Sequence, residues 1–113
     1  MTPRESPGPR SRDHWRQEQD VIGPGLQAVV QWAELCFVQG RGALLTDIDD
    51  NVYIDFMGGA GVNSIGHAHP RFVEALSAQL QEWTIGSFAS EARLRMLQTL
   101  KHLLPEGLDR VQL

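Results

Sequence analysis

The feature that most constrains this chain is a stretch with almost no side chains. Gly58, Gly59 and Gly61 stand within four positions, small residues separate them from Gly66, and His67-Ala68-His69-Pro70 closes the run. Glycine adopts left-handed backbone without steric cost, so such a stretch is either a tight loop or a place where the main chain comes close to something. It resembles a nucleotide loop only loosely. Gly59 and Gly61 supply the first pair of a G-x-G-x-x-G fingerprint, but Ser64 holds the third position, and no GK[ST] follows.

The run separates two kinds of pattern. Before it, Ala43-Leu44-Leu45-Thr46-Asp47 and Val52-Tyr53-Ile54-Asp55-Phe56 flank Ile48-Asp49-Asp50-Asn51. Two short β-type runs around an Asp/Asn turn predict an antiparallel hairpin. Asp47 and Asp55 could face each other at the ends of the paired strands. Further back, Gly23-Pro24-Gly25 marks a turn, and Ala28, Val29, Trp32, Ala33 and Cys36 recur with helical spacing, although Leu35 to Val38 reads equally as a strand. Gly40-Arg41-Gly42 breaks that run. Residues 1–20 carry Pro3, Pro7 and Pro9 among polar residues and read as a flexible arm.

After the run, Pro70 suits the first position of a helix, and Phe72, Val73, Leu76, Leu80 and Trp83 form one apolar face. Gly86 ends it. Ser87 or Ser90 can cap a second helix, whose stripe is Met96, Leu97, Leu100, Leu103 and Leu104 and which Pro105-Glu106-Gly107 terminates. Asp109 to Leu113 alternate like the start of a strand. The pattern is α+β: a short antiparallel hairpin plus two helices, which leaves little core to pack against.

The residues able to carry chemistry are few. Net charge is −4, which argues against nucleic acid as a partner, and no apolar run is long enough to cross a bilayer. The first twenty residues lack the apolar centre of a secretory signal, so cytoplasm is the expected location. Cys36, the one cysteine, sits in an apolar run with no activating base beside it and reads as an inert thiol. The one lysine, Lys101, falls off the apolar face late in the second helix and reads as a solvated surface residue. His67 and His69 could share a face on extended backbone, but third and fourth metal ligands are not evident, and the alternative is that they bond backbone groups at the helix start.

Taken in order, these short motifs resemble a known family. Gly40 through Phe56 is similar to the opening of class III aminotransferases, which write a glycine, a short strand ending in Asp, an Asp-Gly turn, then Tyr-Ile-Asp-Phe or a close variant. Their small-residue loop and Gly-His-x-His-Pro correspond to Gly58 to Val62 and to Gly66-His67-Ala68-His69-Pro70. Ala75, Gln79 and Leu80 match the usual helix, and Pro105 to Val111 is similar to the lead into the next strand. The likeness runs in register from about Gly23 to the end. Asp50 departs from it, standing where the family usually has Gly, which bears on turn geometry.

The resemblance implies a fold type I α/β transferase that uses pyridoxal 5'-phosphate, held as a Schiff base on a lysine, to move an amino group from an amino donor to a 2-oxo acid. Residues 21–113 would supply small-domain strands and the first helices of a homodimeric parent enzyme. The family's phosphate-binding motif, pyridine-pairing aspartate and Schiff-base lysine are expected beyond Leu113. Hence no catalytic, cofactor-binding or metal residue is assigned here, and the 113 residues are expected to be inactive and to bind no cofactor by themselves. What carries over from relatives is the loop bordering the substrate pocket, Gly59, Ala60, Gly61 and Val62, with a plain tight loop as the competing reading. A function of another class, a non-catalytic interaction module presenting its apolar stripes, stands as the alternative. Ornithine, acetylornithine, 4-aminobutyrate and diaminobutyrate enzymes share this opening, so the donor is left open.

Overall fold

A computed structural model describes residues 5–23, 32–84 and 86–112. The chain divides into two compact units, Met1–Glu74 and Ala75–Leu113. No apolar side chain is fully buried among the described residues; the buried ones are Ser11, Asp47 and Asn51.

The first unit is built on a three-stranded antiparallel sheet, β1 (Phe37–Arg41), β2 (Leu44–Asp47) and β3 (Val52–Ile54), in the order β1-β2-β3. The expected hairpin is the β2–β3 pair, with Leu44 opposite Ile54, Leu45 opposite Tyr53 and Thr46 opposite Val52. Asp50 in its turn has φ 63°. That left-handed backbone is where a glycine would be least strained, so the family departure at this position falls on a residue type that tolerates it.

β1 corrects the expectation that Gly40-Arg41-Gly42 ends the preceding run. The strand continues through Gly40, which pairs with Leu45, and Arg41, which pairs with Leu44; the turn comes at Gly42, φ 56°. A glycine marks a strand end only when nothing demands its small size, and here His67 does. A Cβ on Gly40 would lie 2.7 Å from His67 Cγ. The bulge between Phe37 and Gln39 lets Phe37 pair with Asp47. By that register one face of the sheet carries Phe37, Gly40, Leu45, Asp47 and Tyr53. Phe37 and Tyr53 meet edge to face on it, with centroids 5.6 Å apart and planes at 85°.

Within the stretch expected as an arm, Pro9–Gln19 forms helix α1. Its sequence has no apolar stripe, so periodicity could not announce it. Its N-terminus is held instead by a carboxylate from the hairpin turn: Asp49 Oδ1 accepts from Arg10 N (3.0 Å) and Oδ2 from Ser11 N (2.7 Å). These bonds supply the cap that Gly8, at the N-cap position, cannot. Gly8 is needed for the approach, since a Cβ there would collide with the Asp49 side chain.

Of the helical spacing from Ala28 to Cys36, residues 24–31 lie outside the described residues, as does Pro24-Gly25 of the expected turn. Trp32 and Ala33 are helical, and the chain has left the helix by Glu34.

The glycine run forms a four-residue turn, α2 (Gly58–Gly61), of left-handed sense: φ is 53°, 62°, 63° and 85° at Gly58, Gly59, Ala60 and Gly61. L-residues lose about 1–2 kcal/mol each in that conformation, so a run of it is feasible only where three of four residues are glycine.

In the second unit, helix α3 (Pro70–Glu82) continues from its first turn, starting at the proline as expected. Ser90 caps α4 (Glu91–Lys101) by accepting from Arg93 N at 3.2 Å. Leu76, Leu80, Trp83 and Met96 are close to half exposed and Leu103 is 75% exposed. Residues 109–112 form no strand, correcting the reading of their alternation. Alternation is satisfied only when a neighbouring strand takes up the hydrogen bonds.

Candidate functional site

Two polar clusters sit at opposite ends of the β2–β3 pair. Asp47 lies beside the turn and Asp55 at the open end, where its amide donates to Ala43 O at 2.8 Å. The two carboxylates therefore do not face each other, correcting that expectation. Antiparallel pairing places the last residue of one strand beside the first of the next.

The Asp47 cluster is structural. Its carboxylate is fully buried and accepts from Asp49 N (2.9 Å), Asn51 N (2.8 Å), Asn51 Nδ2 (2.9 Å) and the Tyr53 hydroxyl (2.7 Å). These bonds use the full acceptor capacity of a carboxylate. Burial pushes the Asp47 carboxyl up, but the bonds from Asn51, Tyr53 and the Asp49 amide outweigh it and hold the group below its ordinary value. Because the Tyr53 proton goes to Asp47, the Ser6 hydroxyl donates to Tyr53 Oη, 2.6 Å away. Burial, then the neighbouring Asp47, raises the Tyr53 phenol. Burial likewise pushes Asp49 up, yet the bonds from Ser11 and Arg10 bring it below the ordinary carboxylate value.

The Asp55 cluster holds the glycine turn. Asp55 Oδ1 accepts from Met57 N (3.0 Å) and Gly58 N (2.8 Å), and Oδ2 lies 2.7 Å from His67 Nε2. The hydrogen bond from His67, then that from the Gly58 amide, lowers the Asp55 carboxyl, so it is ionised and Nε2–H is the donor. His67 is fixed from behind. Its amide donates to Gly42 O (2.8 Å), its carbonyl accepts from Gly42 N (2.9 Å), and its ring lies on Gly40. With its amide turned so that the nitrogen donates to Gly66 O (3.0 Å), Asn63 brings its oxygen within 3.3 Å of the His67 amide. The reading of His67 as a group bonding the start of the helix is thus corrected. At the helix start it is the His69 carbonyl that accepts, from Phe72 N and Val73 N, both 3.0 Å.

Beside this cluster an open apolar groove of about 590 Å³ runs along the sheet face, lined among others by Phe37, Leu45, Tyr53, Met57, Gly59 and His67. Of the expected pocket residues, Gly59 reaches this groove. Ala60, Gly61 and Val62 do not line it and are exposed, Val62 by 84%. Cys36 has its thiol raised by burial and then by Glu18, Asp47 and Asp49, the environment of an unreactive thiol. Lys101 is the exposed last residue of α4. Among the described residues no three His, Cys, Asp or Glu side chains gather as metal ligands would, and no helix is long and apolar enough to cross a membrane.

Sequence reasoning passed over the Asp55–His67 pairing and the role of Asp49. A cue existed for the first. An acid just before a glycine run and a histidine just after it can meet whenever the run turns back on itself.

The profile of the family described as Aminotransferase class-III matches residues 27–113. An alanine/serine racemase from Pyrococcus horikoshii is 35% identical over 102 residues, covering 88% of this chain and 21% of the racemase. An acetylornithine aminotransferase from Corynebacterium efficiens is 51% identical over 45 residues, covering 40% of this chain and 11% of that enzyme. The solved structure of a glutamate-1-semialdehyde aminomutase from Pseudomonas aeruginosa superposes with a TM-score of 0.73 at 28% identity, covering 83% of this chain and 22% of the aminomutase. The chain thus spans about a fifth of the racemase and the aminomutase.

Proposed function

The chain belongs to the class III aminotransferase family, and on that premise we propose that its residues serve as the amino-terminal portion of a pyridoxal-phosphate-dependent transaminase. The observation that carries this reading is the family match across residues 27–113, against relatives several times longer. The bare apolar side chains support it, because a monomeric domain of this size ordinarily buries some of them. The reaction is transfer of an amino group from an amino donor to a 2-oxo acid, in a cytoplasmic homodimer. Within it the turn Gly59, Ala60, Gly61 and Val62 borders the substrate pocket, where small side chains leave room for a sizeable substrate.

Pyridoxal phosphate is the family's cofactor, and the described residues do not fit it by themselves. The one lysine, Lys101, is the exposed last residue of α4 and is not among the residues that line the groove. The groove's polar groups are an ionised carboxylate, a phenol and an imidazole, and the Met57 and Gly58 amides that could meet a phosphate are taken by Asp55. Neither a Schiff-base lysine nor a phosphate cradle lies at this groove among the described residues, and on this reading residues 1–113 alone are inactive.

The test pairs two preparations, residues 1–113 and the same residues joined to the cofactor-binding portion of the enzyme. Each receives pyridoxal phosphate, an amino donor and a 2-oxo acid. Cofactor-imine absorbance with amino transfer is expected only in the second. Turnover by residues 1–113 alone overturns the inactivity. Racemisation of alanine or serine with no consumption of the 2-oxo acid overturns the transaminase assignment.

A further inference from the structure

We infer that His67 is a positioning residue: held by Gly40 and Gly42, it fixes Asp55, and through Asp55 the left-handed turn Gly58–Gly61. That this turn faces substrate rests on the reading above; that His67 holds it does not.

The turn cannot set its own position. Three of its four residues are glycine, the side chain of Ala60 is a methyl group, and the backbone of such a segment is costly to order. Its internal bonds, Gly61 N to Met57 O (3.0 Å) and Asn63 N to Gly58 O (2.9 Å), close the turn but do not aim it. The aim comes from Asp55 Oδ1, which takes the two amides that open the turn. One oxygen leaves a carboxylate free to swivel about its side-chain torsions. The second oxygen, bound to His67 Nε2, removes that freedom.

His67 in turn has little freedom of its own. Two main-chain bonds tie it to Gly42, at the turn between β1 and β2, and its ring occupies the space that a side chain at Gly40 would need. A path of contacts thus runs from β1, through an imidazole and a carboxylate, to a turn some twenty residues further along the chain. The path explains why glycine stands inside a strand at position 40, where it otherwise weakens pairing. It also gives the imidazole a role that requires Nε2–H and not merely a ring. That distinguishes it from a side chain that only fills space.

The experiment measures amide hydrogen exchange residue by residue in the chain as it is, and in His67→Phe, His67→Gln and Gly40→Ala. Phenylalanine keeps the ring volume and loses the donor. Glutamine places an amide N–H near the position of Nε2. In His67→Phe the Met57 and Gly58 amides should exchange at least roughly tenfold faster, while the β2–β3 amides stay within about twofold. In His67→Gln the Met57 and Gly58 rates should return to within about threefold of the parent. Gly40→Ala, whose new methyl displaces the ring, should accelerate the same two amides from a distance. It supplies the test if the phenylalanine variant fails to fold.

Unchanged exchange at Met57 and Gly58 in both His67→Phe and Gly40→Ala overturns the inference. So does acceleration spread equally over the sheet, or a glutamine variant no better than phenylalanine. If the turn loosens as expected while donor selectivity of the joined enzyme does not change, the positioning role stands and the substrate-facing reading falls.

Discussion

The two units of this chain are held in opposite ways. In the unit up to Glu74, the fully buried side chains among the described residues are polar, and three carboxylates have named partners: Asp47 with Asn51 and Tyr53, Asp49 with the start of α1, Asp55 with His67. From Ala75 onward the described structure is helix with a local cap, and its apolar stripe is left in contact with water. The difference shows which interactions carry specificity here. Satisfied polar networks have one good geometry, whereas an uncovered apolar stripe has none of its own and acquires one only when something packs on it.

Acid should break the comparison most strongly. Asp47, Asp49 and Asp55 all have carboxyls held below their ordinary value. Such a group binds fewer protons folded than unfolded, so its stabilisation is complete above the unfolded value, near pH 4. It is lost as the pH falls through the lower folded value. Sheet resonances are therefore expected to hold steady from neutral pH down to about 4. Below that they should collapse together. Loss of the sheet well above that pH would show that these carboxylates do not hold it.

Asp47→Ala comes next. It leaves two amides, an Asn51 N–H and the Tyr53 hydroxyl without their acceptor, a change expected to cost about 3 kcal/mol or more and to unfold the sheet. Denaturant titration read on Tyr53 fluorescence or sheet resonances measures it; a cost below about 1 kcal/mol would demote the network to decoration. Gly8→Val should have a smaller and more local effect. The Cβ it adds collides with Asp49, so α1 should detach at a cost of about 1–3 kcal/mol while the β2–β3 pairing persists. Amide shifts of residues 9–19 would report it, and an intact helix would contradict the clamp. Ser90→Ala is the smallest change and falls in the other unit. Losing the cap should cost about 1 kcal/mol of α4 helicity without altering the sheet, and any response at Asp47 or His67 would show that the two regions are not separable in this way.

How much of this was legible depended on distance along the chain. The β2–β3 hairpin, the start of α3 at Pro70 and, as one of two candidate serines, the Ser90 cap were legible because each is decided by residues within a few positions of one another. The glycine run was legible as a turn but not as a left-handed one. Glycine permits either hand, so composition alone does not choose between them. α1 was not legible, since its stabilising partner is not on the helix. β1 was misread at Gly40 because the reason for that glycine is a histidine 27 positions later.

By itself the sequence determined the β2–β3 hairpin and the helices α3 and α4 and, through an ordered set of short motifs, the family. Propensity, capping and turn chemistry act between near neighbours and are written where they act. The tertiary structure decided what the polar residues do. Ser6 meets Tyr53 across 47 positions, and Asp49 reaches Arg10 and Ser11 across 39 and 38. Such pairings exist only once the backbone has brought the ends together, and no periodicity along the chain encodes them. The glycine run at which the chain turns back is where the two kinds of information meet: its composition allows the turn, and Asp55, held by His67, sets its direction.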